Sequence, residues 1–119
     1  MRYQVLLLDT PTEFYQALRH RFSGMDVNFT IALTAQDTAQ LCAEQPFHLI
    51  VLKLPKDIAR SEFLIALRRV NYAPVVVLVE LYDIEAARVA LQSGADLCLG
   101  VDWPTDLSVD HIMAQFRRH

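Results

Sequence analysis

The chain has 119 residues and a formal net charge of −3. With 53% hydrophobic and 21% charged residues, it carries enough apolar side chain for a packed core and too little charge for a disordered segment. The acidic balance leaves no electrostatic footprint for nucleic acid, and no apolar run is long enough to span a bilayer.

The opening, MRYQVLLLDTP, has too short an apolar core for a secretion signal and meets Asp9 at once, so a cytoplasmic protein is expected. Its apolar run, YQVLLLD (3–9), reads as a first strand. TPTE (10–13) follows and predicts a capping box, with Thr10 as cap, Pro11 at the first helical position and Glu13 reaching back. Phe14, Ala17, Leu18 and Phe22 then share one helical face. A second run, VNFTIAL (27–33), leads into TAQD (34–37), a weaker helix start, and a short helix anchored by Leu41 and Cys42. Pro46 ends that helix.

The third run, HLIVLK (48–53), is uninterrupted from Leu49 to Leu52 and finishes on a cation, Lys53. Asp57 is expected to cap the next helix, whose stripe is Phe63, Ala66, Leu67 and Val70. Pro74 opens the fourth run, PVVVLV (74–79). Ile84, Ala87 and Leu91 mark a fourth helix, with Gly94 as its left-handed stop. The fifth run is DLCLGV (96–101), and Val109, Ile112, Met113 and Phe116 form the last stripe.

Strand and helix thus alternate five times. Near-continuous apolar strands need cover on both faces, which predicts an α/β doubly wound, flavodoxin-like (βα)5 fold: one domain over residues 1–119 with a parallel sheet of order 2-1-3-4-5. Ligands of such sheets sit at the carboxyl ends of the strands. That rule selects Asp9 and Thr10, Lys53, Val79 and Glu80, and Val101 and Asp102. The four histidines show no metal-ligand spacing, and Cys42 and Cys98 belong to no Cys-x-x-Cys pair, so both are expected as buried, unbridged thiols.

In whole-chain layout the sequence resembles the receiver domain of two-component response regulators. VLLLDT resembles the opening strand with its acidic pair, FHLIVLKLP the strand that carries the phosphorylated aspartate, and APVVVLVE the strand that ends in a Thr or Ser switch. LQSGADLCLGVDWP resembles the fifth-strand region, with SGAD its most specific match, and FRRH the end of the fifth helix. The resemblance breaks at the chemistry. Only Asp9 of the acidic pair is kept, and Thr10 stands at the second position. The phosphoacceptor falls on Lys53, the switch on Val79 with Glu80 after it, and the lysine on Val101 with Asp102 in place of its proline. Pro55 also follows two residues after Lys53 where the family spacing is four.

A lysine forms no acyl phosphate and repels a divalent cation, a valine neither hydrogen-bonds nor pairs with a phosphoryl oxygen, and Asp9 alone is a poor metal site. The resemblance therefore implies an atypical receiver, neither phosphorylated nor holding Mg²⁺. Lys53 itself admits three readings: an internal cation paired with Asp9, a surface lysine, or a catalytic amine. The expectation carried forward is a charge pair with Asp9.

Receivers often dimerise through the fourth helix, fifth strand and fifth helix. Here that region contains Arg88, Leu91, Asp96, Leu97, Asp110 and Arg117, with Ala87, Leu91 and Leu97 as apolar centre, and Trp103 as either a contact residue or a packed ring. The function this implies is non-enzymatic: a regulatory module acting as a homodimer in a transcriptional regulator, with DNA held only by a domain outside this chain. A stand-alone adaptor is the alternative. A small-ligand binder is disfavoured, and no cofactor is expected, because the only glycines are Gly24, Gly94 and Gly100, and the first turn, DTPTEF, is no phosphate cradle.

Overall fold

The computed structural model describes residues 2–54, 60–80 and 83–118. The expected caps on Asp57 and the shortened loop at Pro55 lie outside them. The elements run β1 (Tyr3–Leu8), α1 (Thr12–Arg21), β2 (Val27–Ala32), α2 (Ala35–Glu44), β3 (Leu49–Leu52), α3 (Arg60–Val70), β4 (Val75–Val79), α4 (Ile84–Gln92), β5 (Leu97–Gly100) and α5 (Thr105–Arg118). The strands form one sheet of order β2-β1-β3-β4-β5, and every pairing is parallel.

Alternation along β1 divides the core in two. Leu6 and Leu8 face a cluster with Ile50, Leu52, Leu64, Leu67, Ala87 and Ala90, which brings in α3 and α4. Val5 and Leu7 face Phe14, Leu18, Phe22, Val109, Ile112 and Met113 from α1 and α5. All four residues of β3 are fully buried, as a strand covered on both sides must be. Each such Leu, Ile or Val contributes roughly 1.5–3 kcal/mol through its removal from water.

Two helix faces depart from the expected stripes. On α3 the core takes Leu64 and Leu67, while Ala66 and Val70 are exposed. On α4 it takes Ala87 and Ala90, leaving Ile84 and Leu91 74% and 47% exposed. Two alanines let α4 lie close to the sheet, so its larger apolar residues turn outward.

Helix starts also differ. Thr34 caps α2 as expected, its Oγ1 accepting from Asp37 N–H at 3.0 Å, and Asp83 caps α4 by accepting from Ala86 N–H at 3.1 Å. The Thr10 capping box does not form. Pro11, with ψ 145°, is the residue before the first helical turn, so α1 starts at Thr12 and Thr10 lies one position too early to cap it.

At the amino ends of β4 and β5, Arg68 fastens three segments. Its Nε donates to Gly94 O at 2.9 Å, its Nη1 to Ala73 O, and its Nη2 to Asp96 Oδ2 at 2.6 Å. The same Asp96 oxygen accepts from Val75 N–H at 2.7 Å. Gly94 has φ +120°, and a Cβ there would lie 2.7 Å from Arg68 Cγ. The thiols of Cys42 and Cys98 are free and buried, and burial pushes both up to about 11, which keeps them protonated and unreactive. They share one face of the sheet, on α2 and β5.

Gly94→Ala is expected to destabilise the protein by about 1–3 kcal/mol, because it combines an unfavourable φ with displacement of Arg68. Denaturant unfolding measures this; Ser93→Ala, which leaves both in place, should cost less.

Candidate functional site

The carboxyl ends of β1, β3 and β4 meet at one rim. Leu8 pairs with Leu52 and Leu52 with Val77, which brings Asp9, Lys53 and the end of β4 side by side. The ladder continues one step past the strands: Lys53 N–H donates to Leu8 O at 3.0 Å, and Val101 N–H to Val79 O at 2.9 Å. Asp9 turns the chain out of β1 in the left-handed region, at φ 52°, a conformation Asp tolerates better than most residues. A cleft of about 190 Å³ opens between these ends, lined by Asp9, Lys53, Leu54, Arg60, Leu78, Val79 and Glu80.

Lys53 does not pair with Asp9. Its Nζ lies 2.6 Å from Glu80 Oε1, and the two side chains are 30% and 49% exposed. The hydrogen bond to Glu80 holds the ammonium above the ordinary lysine value. Partial burial opposes this, and the charges of Glu80 and, more weakly, Asp9 add to it. The register explains the outcome. Lys53 is flanked by a carboxylate on either neighbouring strand, and the side chain reaches the one after β4 while the chain at Asp9 turns away. Partial exposure keeps the interaction in the range of surface pairs, about 0–1 kcal/mol.

The remaining expected residues are dispersed. Thr10 lines a separate groove of about 530 Å³ with Asp9, Tyr15, Ile31 and Leu33. Val101 packs against the α1–α5 core and lines a small cavity with Pro11, Phe14, Leu78 and Trp103. Val79 is buried in the opposite core. Asp9, Lys53 and Val79 thus share a cleft, whereas Thr10 and Val101 do not join it. Among the described residues no group of three or more His, Cys, Asp or Glu side chains is placed to hold a metal ion. Arg60, at the start of α3, is a cation of this cleft that sequence reading missed. The pairing of Glu80 was missed as well, though its position one residue past β4 was the available signal. A larger cleft, about 920 Å³, lies at the other end of the sheet, against Tyr3, Phe47, His48, Tyr72 and Phe116, away from these charges.

The expected dimer face is also altered. Asp96 is held by Arg68, Asp110 pairs with Arg21 of α1 at 2.5 Å, and Arg88 pairs with Glu85 one turn away at 3.0 Å. Ala87 is buried and Leu97 packs partly into the core. Leu91 and Arg117 remain exposed. No helix among the described residues is long and apolar enough to cross a membrane.

No family model matches the sequence, and no curated protein matches it. Solved structures do. The receiver domain of the Francisella response regulator 1452 is 22% identical over 98% of both chains, with a TM-score of 0.75. A two-component response regulator from Clostridium difficile is 19% identical over 98% of this chain and 97% of its own, with a TM-score of 0.79. A response regulator from Burkholderia pseudomallei, solved with a phosphorylated aspartic acid, a calcium ion and citrate, is 17% identical over 98% of this chain and 69% of its own, with a TM-score of 0.74. At these identities the likeness is one of fold: the chain has the doubly wound fold of receiver domains.

Glu80→Gln is expected to cost less than about 1 kcal/mol at low salt and still less in 1 M NaCl. Because Lys53 is raised in the folded state, its contribution is complete below the unfolded lysine value of about 10.4 and is lost as pH rises through the folded one. The difference between wild type and variant should therefore stay constant from about pH 7 to 9 and shrink only above about pH 10.4, as measured by urea unfolding across that range.

Proposed function

We propose that the chain is a receiver-like regulatory domain, not an enzyme, that works through protein contact without being phosphorylated. On this reading it is the amino-terminal part of a transcriptional regulator, and DNA is contacted only by a domain outside it. The observation that carries the reading is the Lys53–Glu80 pair at the carboxyl ends of β3 and β4. In the Burkholderia pseudomallei protein an aspartate is phosphorylated with calcium present. Here the position that the resemblance matches to a receiver's acceptor is Lys53, an ammonium, which forms no acyl phosphate and repels a divalent cation. On this reading a cation–carboxylate link lies at the strand ends where the resemblance implies a phosphoryl group.

Contact through the α4–β5–α5 face is supported by Ile84 and Leu91, which lie seven residues apart on one side of α4, both exposed. Asp96 and Asp110 of that face have partners within the chain, Arg68 and Arg21, and lend the contact no support. The supported form of the contact is an apolar patch for a partner protein, with Leu91 near its centre.

Acetyl phosphate with Mg²⁺ is expected to leave the intact mass unchanged, and beryllofluoride with Mg²⁺ to move Tm by less than about 1 °C, since a ligand that does not bind the folded state adds no stability. Gain of one phosphoryl group, or a stabilisation that requires both reagents, would refute the proposal.

A further inference from the structure

We propose that two copies of this chain pair antiparallel through β2, extending the sheet across a two-fold axis at Thr30. The edges of the sheet are unequal. β5 is four residues long and flanked by Asp96 and Asp102, and short, charge-flanked edges resist pairing. β2 is six residues long and pairs with no strand except β1 among the described residues. No charged residue and no proline occurs between Asp26 and Asp37, so β2 lacks the usual protection of an edge and meets no like-charge penalty against its own copy.

The pleat fixes how the copies fit. Tyr3 N–H donates to Asp26 O at 2.8 Å, which turns the backbone groups of the even-numbered residues of β2 toward β1 and those of Val27, Phe29 and Ile31 outward. Antiparallel hydrogen bonding must then match odd with odd. The register centred on Thr30 sets Ile31 opposite Phe29 of the second copy and Leu33 opposite Val27. Val27 and Phe29 are half-buried against the α1–α5 core, whereas Ile31 and Leu33 are 56% and 85% exposed. The pairing places the two exposed residues of each copy against the two half-buried ones of the other. The neighbouring groove, lined by Tyr15, Ile31 and Leu33, opens beside this edge. Thr30 then meets its own copy as a non-hydrogen-bonded pair, with Cα atoms about 4.5 Å apart. This dimer does not depend on the phosphorylation reading, and it leaves α4 free for a different partner.

The test is cysteine cross-linking with light scattering. At that spacing Thr30→Cys should form a disulfide-linked dimer under mild oxidation, within reach of standard disulfide geometry, without background from the buried Cys42 and Cys98. Asn28→Cys, four positions out of register with its copy, should not. Ile31→Lys should weaken dimerisation at least about tenfold while unfolding as wild type does. A wild-type chain that stays monomeric at about 100 μM (on the scale of weak interfaces), or a dimer that Leu91→Arg dissociates and Thr30→Cys does not cross-link, overturns the proposal.

Discussion

Burial of the central strands on both faces is the constraint on which the structure depends. A parallel strand between two helical layers has no solvent side, so β1, β3 and β4 are apolar at nearly every position. Polar chemistry is left only the strand ends. That is why Asp9, Lys53 and Glu80 lie on one rim, and why the Arg68–Asp96 clamp closes the other. The same constraint exposes the edges as the places where backbone hydrogen-bonding groups remain open to another chain.

At the rim, charge placement decides what the fold can do. The receiver layout supplies three converging strand ends, but the groups on them are an aspartate, a lysine, a valine and a glutamate, so an ammonium stands between the two carboxylates. The Lys53–Glu80 link joins β3 to β4 by side chains alone. It needs no cofactor and, being partly open to water, adds little to stability. Its consequence is geometric rather than energetic: it fills the space between strand ends with opposite charges that already satisfy each other.

The sheet order, the five strands and the α1–α5 core cluster were legible in the sequence, because apolar runs and helical periodicity are local signals, whereas of the expected α3 and α4 stripes only Leu67 and Ala87 are buried in the opposite core. The choice between Asp9 and Glu80 as partner of Lys53 was not, because both lie on strands adjacent to β3 and only the turn at Asp9, with its positive φ, separates them. The outward turn of Ile84 and Leu91 escaped for a similar reason. A stripe of large residues predicts the buried face only when the opposing surface has room for them, and the α4 layer has room for Ala87 and Ala90. Asp96 was expected on the dimer face since nothing near it in sequence reveals Arg68, which is 28 residues away. The chemistry of the site came from its type of residue at each strand end, which pattern alone cannot supply.

A link written into the polypeptide has no off-rate set by a kinase or phosphatase. On the proposed reading, the Lys53–Glu80 bridge removes the covalent modification as a variable, and what remains to be varied is the number of copies in the cell. Control would then pass to synthesis and turnover of the protein, and the response would be graded by abundance, with a pairing edge such as β2 converting concentration into assembly.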